Sequence, residues 1–503
     1  MQDKRLIRKD AARLGLRSDF PFPVQIFAND QVPIETVAVD ELLSLLSSHI
    51  RLDRLRISAH EFQSADWAIE QVAVTPDFHK GAGVPIGTVL QTSGVLFPQA
   101  IGNDINCGMR LHATDLDARE VAARLSGIES RSRRLFFEGG RQIPMTGGDR
   151  EALLTGGLAG LFATAPWTRL SGQWRTLERL GWHTQLDHIE RQGSLPSRLA
   201  PALKDWIGQA TTASYDDQIG SIGGGNHFAE FQRVERILDR QAAFAWGLKK
   251  GALAIMVHSG SVGIGHIAGG CIRKMLTARY PKSVQHPDNG IYPLRDDEAQ
   301  GSGFWDLLHN AANFAFANRL FLAASAVEAI EGELGTFQAP LVYDAPHNLV
   351  WRVADGSYVH RKGATPARGP EDMEGTPFHS WGEPVLVPGS MGSSSFVLAG
   401  MGNQDALKSA SHGAGRALSR GQAARTGRSE FERFLDEFRI VTPVDLRRPD
   451  VRGRADIMTR KKDELRAEGP HAYKGIHAII DTLVSANIAR PVAELTPIMT
   501  IKG

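Results

Sequence analysis

The chain has 503 residues, of which 42% are hydrophobic and 22% are charged. This composition excludes a disordered protein, which would contain fewer apolar residues and carry a larger net charge. No run of about 18 uninterrupted apolar residues occurs, so a transmembrane helix is excluded and no membrane partner is expected. The 57 basic and 56 acidic side chains nearly cancel, so a nucleic acid would have to bind a local basic patch.

The N-terminal segment and the cysteine content both favour a cytoplasmic protein. The segment MQDKRLIRKDAARLG is charged throughout and lacks the apolar core of a secretory signal. The two cysteines, Cys107 and Cys271, are too few to stabilise a chain of this length by disulfides. We therefore expect the protein in the reducing cytoplasm.

The first 60 residues differ in composition and pattern from the rest of the chain. They are polar and helix-prone, and VDELLSLLSSHIRLDRLRI places apolar residues at helical spacing. We therefore predict a helical extension over residues 1–60, packed on a larger body that spans residues 61–503. No linker, low-complexity run or repeat divides this body further.

The body alternates strand-rich and helical segments. Residues 70–112 and 220–266 contain β-branched runs interrupted by glycines, such as ALAIMVHSG, and predict strands and turns. Residues 305–334 place apolar residues at helical spacing and predict a long helix that ends at Gly335. Because strands and helices alternate without a regular βαβ order, we expect an α+β fold, a single large body of mixed β-sheets flanked by helices.

The segment from about 415 to 465 is rich in basic residues. They are Arg416, Arg420, Arg425, Arg428, Arg447, Arg448, Arg452, Arg454, Arg460, Lys461 and Lys462. A run of this kind is usually a solvated helical face, and it can also supply phosphate contacts to a polyanion. The sequence leaves both interpretations open.

Five histidines are candidate ligands, and four of them lie in glycine-rich surroundings. They are His79 in PDFHKGAG, His227 in GGGNHFAE, His258 in VHSGSVGIG, His347 in DAPHN and His412 in SHGAGRALSR. Glycine removes side-chain bulk and lets the backbone bend, which suits a packed metal or phosphate site. Any one of them could be an ordinary core or surface residue, but five together predict ligands gathered from distant loops.

A further pair of candidate ligands lies in the loop GNDINCGM. Asp104 and Cys107 are three residues apart between glycines, so both side chains can turn toward one centre. A nearby divalent cation makes a thiolate of the cysteine, and one sulfur can bridge two metals. Cys107 could instead be a small buried hydrophobic residue. Thiolate and imidazole ligands together favour zinc, although composition does not choose the metal.

Nucleotide-binding motifs with a lysine are missing from the chain. No Gly-Lys pair occurs, which excludes a Walker A loop, and the KxDG motif of ordinary nucleotidyl-transferring ligases is absent. If a nucleotide is transferred, its acceptor is therefore not expected to be lysine. A histidine is a competent substitute, because an imidazole nitrogen can bond to phosphorus as a phosphoramidate.

Ten motifs in the same order resemble those of the RtcB family of RNA-splicing ligases. They are PDFHKGAGVPIG (76–87), GNDINCGM (102–109), GGGNHFAE (223–230), HSGSVGIG (258–265), PHN (346–348), RKGAT (361–365), PGSMGSSSF (388–396), HGAGRALSR (412–420), AYKGI (472–476) and IKG (501–503). The resemblance spans about residues 77–503 and implies an RtcB-like fold and catalytic domain.

The resemblance also implies a metal centre. Cys107 would bridge two manganese ions, with Asp104 and His227 completing the ligands of one ion and His258 and His347 those of the other. The thiolate chemistry keeps zinc possible as the loaded metal.

GTP is the co-substrate that the resemblance implies. His412 would attack its α-phosphorus and become guanylylated, with Asp77 and His79 as supporting residues. The implied GTP-binding residues are Asn226, Glu230, Ser390, Ser395, Gly413, Ala414, Gly415, Tyr473 and Lys502. A carboxylate can accept hydrogen bonds from the N1–H and N2–H₂ edge of guanine, and an ammonium can donate to O6, so these residue types favour GTP over ATP.

The implied reaction joins RNA ends in RNA repair or tRNA splicing. An end with a 2′,3′-cyclic phosphate is opened to a 3′-phosphate, the phosphate accepts GMP, and the 5′-hydroxyl of a second RNA displaces the GMP. Arg416 and Arg420 are candidates for contacts to RNA phosphates. The sequence does not say whether an activating protein takes part.

One departure from the family pattern keeps other functions open. Val262 occupies the position at which the family usually has an arginine that would contact an RNA phosphate. The chain could therefore guanylylate RNA ends or open cyclic phosphates without sealing them. A metal-dependent RNA-binding protein without catalysis is a third interpretation, although such a protein needs no nucleophile.

Overall fold

The computed structural model describes residues 3–59, 66–164, 171–208, 212–301, 303–354 and 356–503. Its strands, in chain order, are β1 (Leu6–Arg8), β2 (Arg13–Leu16), β3 (Val24–Phe27), β4 (Ala68–Ala82), β5 (Val84–Ser93), β6 (Val95–Leu96), β7 (Gly108–Asp117), β8 (Phe228–Ile237), β9 (Ala252–Ser259), β10 (Leu294–Arg295), β11 (Leu341–Pro346), β12 (Asn348–Ala354), β13 (Ser357–Lys362), β14 (Ala364–Pro366), β15 (Pro384–Val387), β16 (Ser395–Gly400), β17 (Ser409–Ser411), β18 (Arg439–Val441) and β19 (Ala489–Ile501).

The α-helices lie between these strands. In chain order they are α1 (Thr36–Leu46), α2 (Ser48–Ser58), α3 (Ala118–Ala123), α4 (Leu125–Phe137), α5 (Gly147–Thr164), α6 (Gln173–Leu180), α7 (Lys204–Ile207), α8 (Arg240–Ala245), α9 (Val262–Arg279), α10 (Asp296–Gly301), α11 (Phe304–Leu334), α12 (Arg420–Ala423), α13 (Arg428–Glu437), α14 (Pro449–Arg452), α15 (Ala455–Arg466) and α16 (Ile476–Ser485). None of the helices in the described ranges is both long and apolar enough to cross a bilayer.

Two large mixed sheets form the body. The first has the strand order β1-β2-β3-β4-β5-β13-β12, and the second has the order β11-β7-β9-β8-β19-β16-β15, with β18 paired to β19. Most neighbours are antiparallel, whereas β3 with β4 and β18 with β19 are parallel. This mixture of sheets and helices in one body confirms the expected α+β fold.

The long helix α11 is the centre of the second half of the core. Apolar residues surround it on all sides, and most of its residues are buried, as expected of a helix enclosed by protein. It packs against α4, α5 and α9 and against β9 of the second sheet. Gly335 ends it at φ 76°, a left-handed conformation that glycine adopts without strain. The prediction of this helix and of its end is confirmed.

The N-terminal region contains more than the helices that its sequence indicates. Helices α1 and α2 lie within the stretch with helical periodicity, but β1, β2 and β3 precede them and join the first sheet beside β4. Strands of three or four residues are too short to show a clear alternation of apolar and polar residues. The predicted boundary at residues 60 and 61 lies outside the described residues, and the division into two domains stays a prediction.

Candidate active site

Antiparallel pairing brings four of the predicted metal ligands to one end of the second sheet. The first residue of β7, Gly108, pairs with the last residue of β9, Ser259, and with the last residue of β11, Pro346. The first residue of β8, Phe228, pairs with His258. Cys107, His227 and His347 directly adjoin these strand ends, so the topology places them together although they are far apart in sequence.

The donor atoms of this cluster lie within contact distance of one another. The Sγ atom of Cys107 is 3.2 Å from Nε2 of His227 and 3.2 Å from Nε2 of His258. The Nε2 atoms of His258 and His347 are 3.3 Å apart, and Nε2 of His227 is 2.8 Å from Oδ2 of Asp104. The structure thus brings together all five residues that the resemblance implied as metal ligands.

A hydrogen bond on the far side of the His227 ring orients its nitrogens. Nδ1 of His227 lies 2.9 Å from the Ile222 carbonyl oxygen and donates to it, so its Nε2 faces the cluster. Burial lowers the pKa of His258 and of His347 well below its usual value, so both rings are neutral. Neutral imidazoles, a cysteine sulfur and a carboxylate this close together are the kinds of donor that a metal ion takes, and the donor set therefore fits a metal ion.

The thiol of the cluster supports the same conclusion. Burial raises the pKa of Cys107 well above its usual value, and the neighbouring Asp104 raises it further. A bound divalent cation would remove this proton, because metal binding and ligand deprotonation are coupled. The ligand atoms of Cys107, His227 and His258 all lie within 4.8 Å of one another, close enough for one ion to bind all three.

His412 lies beside the cluster and is held by Asp77. Its Nδ1 donates to Oδ2 of Asp77 at 2.6 Å, and its backbone N–H donates to the same oxygen at 3.2 Å. The ring centre is 4.6 Å from that of His347. With Nδ1 engaged, Nε2 is the nitrogen that is free to react.

The environment of Asp77 keeps its carboxylate charged. Burial alone would raise the pKa of this fully buried carboxyl, but the His412 ring and hydrogen bonds from His412 and Thr75 outweigh burial and hold the pKa below its usual range. The second supporting residue, His79, donates from Nδ1 to the Asp77 carbonyl oxygen at 2.7 Å. Burial lowers the pKa of His79 to about 3, so its ring is neutral.

One cavity of about 430 Å³ joins the cluster, His412 and most of the predicted nucleotide site. The site residues on its wall that the sequence predicted are His79, Asp104, Cys107, Asn226, His227, Glu230, His258, His347, Ser390, His412, Gly413, Ala414, Gly415, Arg416, Arg420, Tyr473 and Lys502. Two predicted residues, Asp77 and Ser395, lie behind the wall. Asp77 contacts His412, and Ser395 contacts Gln232, which bonds to Glu230.

Glu230 and Lys502 form one part of this wall. Burial raises the pKa of Glu230 to about 7, although Thr500 and Gln232 donate hydrogen bonds to its carboxylate. Ser395 accepts a hydrogen bond from Nε2 of Gln232 at 2.9 Å, so it orients the neighbour of Glu230 from behind. The Lys502 ammonium donates to the Gly225 carbonyl oxygen at 2.5 Å, and burial lowers its pKa to about 8.

The two arginines predicted to contact RNA phosphates share a buried carboxylate. Nη1 of Arg416 and Nε of Arg420 lie 2.9 and 2.7 Å from Glu468. The Tyr473 hydroxyl donates to the same carboxylate, and the Arg416 guanidinium lies over the Tyr473 ring. Glu468 therefore cancels part of their charge, and only Arg420, whose side chain is 62% exposed, extends far into solvent.

Val262 begins helix α9 at a φ of 47°, which is rare for a β-branched residue. Its side chain is half-buried against the second half of the core and does not line the cavity.

The cavity also contains residues that the sequence did not single out. Lys362 donates to the Val84 carbonyl oxygen at 2.6 Å, and burial lowers its pKa to about 8. Asn348 accepts from the Gly363 backbone at 2.8 Å and donates to the Asp104 carbonyl oxygen at 3.3 Å. Lys362 lies in the RKGAT motif and Asn348 in the PHN motif, so the sequence could have identified both. Glu468 lies before the AYKGI motif, and no sequence pattern marks it.

Buried thiol and imidazole donors beside a carboxylate-aligned histidine define a metal-dependent enzyme with a polar substrate cavity. The family model described as tRNA-splicing ligase RtcB matches residues 58–503. The chain therefore belongs to the RtcB family of RNA ligases.

Named relatives align along most of their length with this chain. It is 31% identical to a tRNA-splicing ligase RtcB of Thermococcus kodakarensis, over 94% of this chain and 95% of the relative. It is 34% identical to an RNA-splicing ligase RtcB of Mycobacterium tuberculosis, over 85% and 96%. A tRNA-splicing ligase RtcB of Aeropyrum pernix is 32% identical, over 86% and 87%.

Proposed function

We propose that this protein is a GTP-dependent RNA ligase that joins 2′,3′-cyclic phosphate or 3′-phosphate ends to 5′-hydroxyl ends through a guanylylated His412. The observation that carries the proposal is the alignment of His412. Its Nδ1 is bonded to Asp77 at 2.6 Å, and its ring adjoins the metal-ligand cluster in one cavity. A nucleophile that accepts a nucleotide needs this combination of a fixed ring and a polar cavity.

The five predicted ligands would hold two manganese ions, with Cys107 as the shared ligand. Asp104 and His227 would serve one ion, and His258 and His347 the other. When bound, such ions neutralise and polarise phosphate oxygens. The reduced thiol that this site needs is consistent with the cytoplasm, and zinc remains an alternative because of that thiol.

His412 and Asp77 account for the first chemical step. Nε2 of His412 attacks the α-phosphorus of GTP, the bond to the bridging oxygen breaks, and pyrophosphate leaves. The ring then carries a positive charge, which the Asp77 carboxylate stabilises through Nδ1–H. Because Asp77 is buried and charged, it also holds the tautomer in which Nε2 has the lone pair.

Other residues of the cavity wall support the choice of guanine. Ionised Glu230 accepts from N1–H and N2–H₂ of guanine, and Lys502 donates to O6. Tyr473 offers a ring for stacking, while Asn226 and Ser390 contact phosphate oxygens. Gly413, Ala414 and Gly415 follow the nucleophile without bulky side chains, which leaves room for the bound nucleotide.

The RNA steps use the same centre. After water opens a cyclic phosphate, an oxygen of the RNA 3′-phosphate attacks the guanylate and the bond from phosphorus to Nε2 of His412 breaks. The 5′-hydroxyl of the second RNA then attacks the activated phosphate and releases GMP. Arg420 is an exposed cation of the wall that can contact an RNA phosphate, while Arg416 is largely engaged by Glu468.

Labelling with GTP tests this proposal. Wild type incubated with α-labelled GTP and Mn²⁺ should retain an acid-labile guanylate, and His412→Ala should retain none. His379→Ala is the matched control, because His379 is exposed and lies outside the cavity. Equal labelling of wild type and His412→Ala would contradict the proposal.

A second candidate is guanylylation or cyclic-phosphate opening without sealing. The half-buried Val262 favours it, since no guanidinium is available at that position. RNA with a 2′,3′-cyclic phosphate, supplied with a 5′-hydroxyl partner, separates the two. Joined product eliminates this candidate, and accumulation of capped or 3′-phosphate RNA without joined product supports it.

A further inference from the structure

Two adjacent residues of helix α11, Asn318 and Arg319, contact the backbone next to the metal-ligand cluster. Both side chains are fully buried in the middle of the helix. A buried guanidinium and a buried amide are costly unless their hydrogen-bonding groups are satisfied. Their partners therefore show what the pair stabilises.

Arg319 joins three ligand-bearing segments. Its Nη1 donates to the carbonyl oxygens of Asn106 and Ser259, at 2.7 and 3.1 Å. Asn106 directly precedes the ligand Cys107, and Ser259 directly follows the ligand His258 on strand β9. The Arg319 Nε also donates at 2.9 Å to Asp344, which lies on the strand leading to the last histidine of the cluster.

Asn318 reaches the fourth segment. Its Nδ2 donates to the carbonyl oxygens of Ser221 and Gly260, both at 3.0 Å, and to the Ser259 hydroxyl at 3.1 Å. Its Oδ1 accepts from the Ser221 backbone N–H at 3.0 Å. Ser221 directly precedes Ile222, whose carbonyl oxygen accepts the hydrogen bond from the His227 ring. The Asn318 amide therefore holds the segment that orients this ligand.

The loop before Cys107 needs such a contact for a conformational reason. Asn106 has a φ of 56°, in the left-handed region that asparagine tolerates better than most residues but still with strain. Arg319 binds both its backbone oxygen and its side-chain oxygen, the latter from Nη2 at 3.2 Å. This double contact holds the turn that directs Cys107 into the cluster.

We propose that Asn318 and Arg319 are positioning residues for the metal centre. They hold the four segments that carry Cys107, His227 and the other histidine ligands at the spacing that a bound ion requires. Neither side chain lines the substrate cavity, so they act through the ligands and not on the nucleotide or RNA. The inference rests on the metal site of the proposed function and does not depend on ligation.

The same helix offers a matched control. Asn313 is also fully buried and also joins two segments, helix α5 and the loop at Leu195, since its amide donates to the carbonyl oxygens of Leu154 and Leu195, at 2.9 and 2.8 Å, and accepts from the Leu195 N–H. Those segments carry none of the ligands. Asn313→Ala and Asn318→Ala therefore remove comparable buried hydrogen bonds, but only the latter disturbs the cluster.

Titration with Co²⁺ tests the inference without reference to activity. Cobalt bound to the Cys107 thiolate gives a charge-transfer absorption, which reports both affinity and the ligand. Asn318→Ala should raise the Kd for Co²⁺ about 10- to 100-fold, the usual effect of losing a residue that orients metal ligands. Asn313→Ala should bind as wild type, although both variants melt at a lower temperature.

A conservative variant separates positioning from simple loss of the fold. Arg319→Lys keeps a cation beside Asp344 but replaces the planar fork that reaches two carbonyl oxygens, so it should fold, as circular dichroism can verify, and still bind Co²⁺ about tenfold or more weakly. Equal weakening by Asn313→Ala and Asn318→Ala, or unchanged affinity in both Asn318→Ala and Arg319→Lys, would overturn the inference. Absence of the thiolate band from wild type would instead overturn the metal site itself.

Discussion

The contact between Asp77 and His412 allows the sharpest single test of the chemistry. Asp77→Asn keeps the size of the side chain but removes the charge that faces Nδ1 of His412. Two opposite charges about 4 Å apart attract by about 4 kcal/mol at the effective dielectric constant typical of proteins. Because attack on phosphorus places a positive charge on the His412 ring, the variant loses that attraction in the transition state, and about 4 kcal/mol corresponds to a rate about a thousandfold lower.

Single-turnover formation of the GMP adduct is the appropriate assay for this variant. Asp306→Asn is the matched control, because Asp306 is also buried and accepts hydrogen bonds from Ser197 and Arg198, but it lies outside the cavity. The control should form the adduct at the wild-type rate. A rate within tenfold of wild type for Asp77→Asn, with the variant folded, would refute the role assigned to the carboxylate.

The pH dependence of the free energy of unfolding of wild type provides a second test of the contact between Asp77 and His412. The pKa of Asp77 is lower in the folded protein than the usual value of an aspartate, so the ionised group stabilises the fold above about pH 4. That contribution is lost as the pH falls through the folded-state pKa. Asp77→Asn should therefore show a smaller decrease in the free energy of unfolding between pH 5 and pH 2, measured by urea denaturation.

Three further predictions concern other parts of the site. The pKa of about 7 at Glu230 predicts that GTP binds more weakly as the pH falls from 7 to 5, because the protonated carboxyl accepts fewer hydrogen bonds from guanine, while Lys502, with a pKa of about 8, stays charged over this range. Glu230→Gln should reduce this pH dependence in calorimetric titration, and an unchanged pH dependence would exclude Glu230. Mn²⁺ at about 100 times its Kd should raise the free energy of unfolding of wild type by about 2.7 kcal/mol, and that of Cys107→Ala by much less. Equal stabilisation of wild type and Cys107→Ala by Mn²⁺ would show that Cys107 is not a metal ligand. Val262→Arg should tighten RNA binding and steepen its salt dependence by about one phosphate contact while leaving the GMP adduct unchanged, and unaltered RNA affinity would show that this position does not face RNA.

The sequence could predict the site better than the fold that builds it. Glycines beside His227, His258 and His412 mark close-packed loops, and their motifs occur in a recognisable order, so the residues of the cluster were identifiable without coordinates. The long apolar helix α11 was equally clear, since 31 residues with one periodicity give an unambiguous pattern. Both features are local in sequence or repeated, which is what sequence reasoning detects.

The remaining features depend on contacts between distant segments. Strands β1 to β3 are stabilised by pairing with β4 and carry little signal of their own. Glu468 is an ordinary acidic residue until folding places it between Arg416 and Arg420. The same holds for Arg319, whose role depends on loops from more than 200 residues away as well as on near neighbours.

The segment near 262 shows how a local pattern can mislead about an element boundary. The sequence predicts strands and turns over residues 220–266; β8 and β9 confirm the strands, whereas α8 within this stretch is helical. The run that begins at Val262 is nevertheless the first turn of α9. Its glycines weaken helix propensity, and packing of α9 against α11 outweighs that weakness.

The central claim is that His412, aligned by Asp77 beside a metal centre, accepts GMP. Peptide mass spectrometry of wild type after incubation with GTP and Mn²⁺ tests it most directly. A guanylate mass on the peptide that contains His412, absent when the metal is chelated, is the predicted result. A guanylate on a lysine, or metal-loaded protein that gains no guanylate at all, would contradict the account.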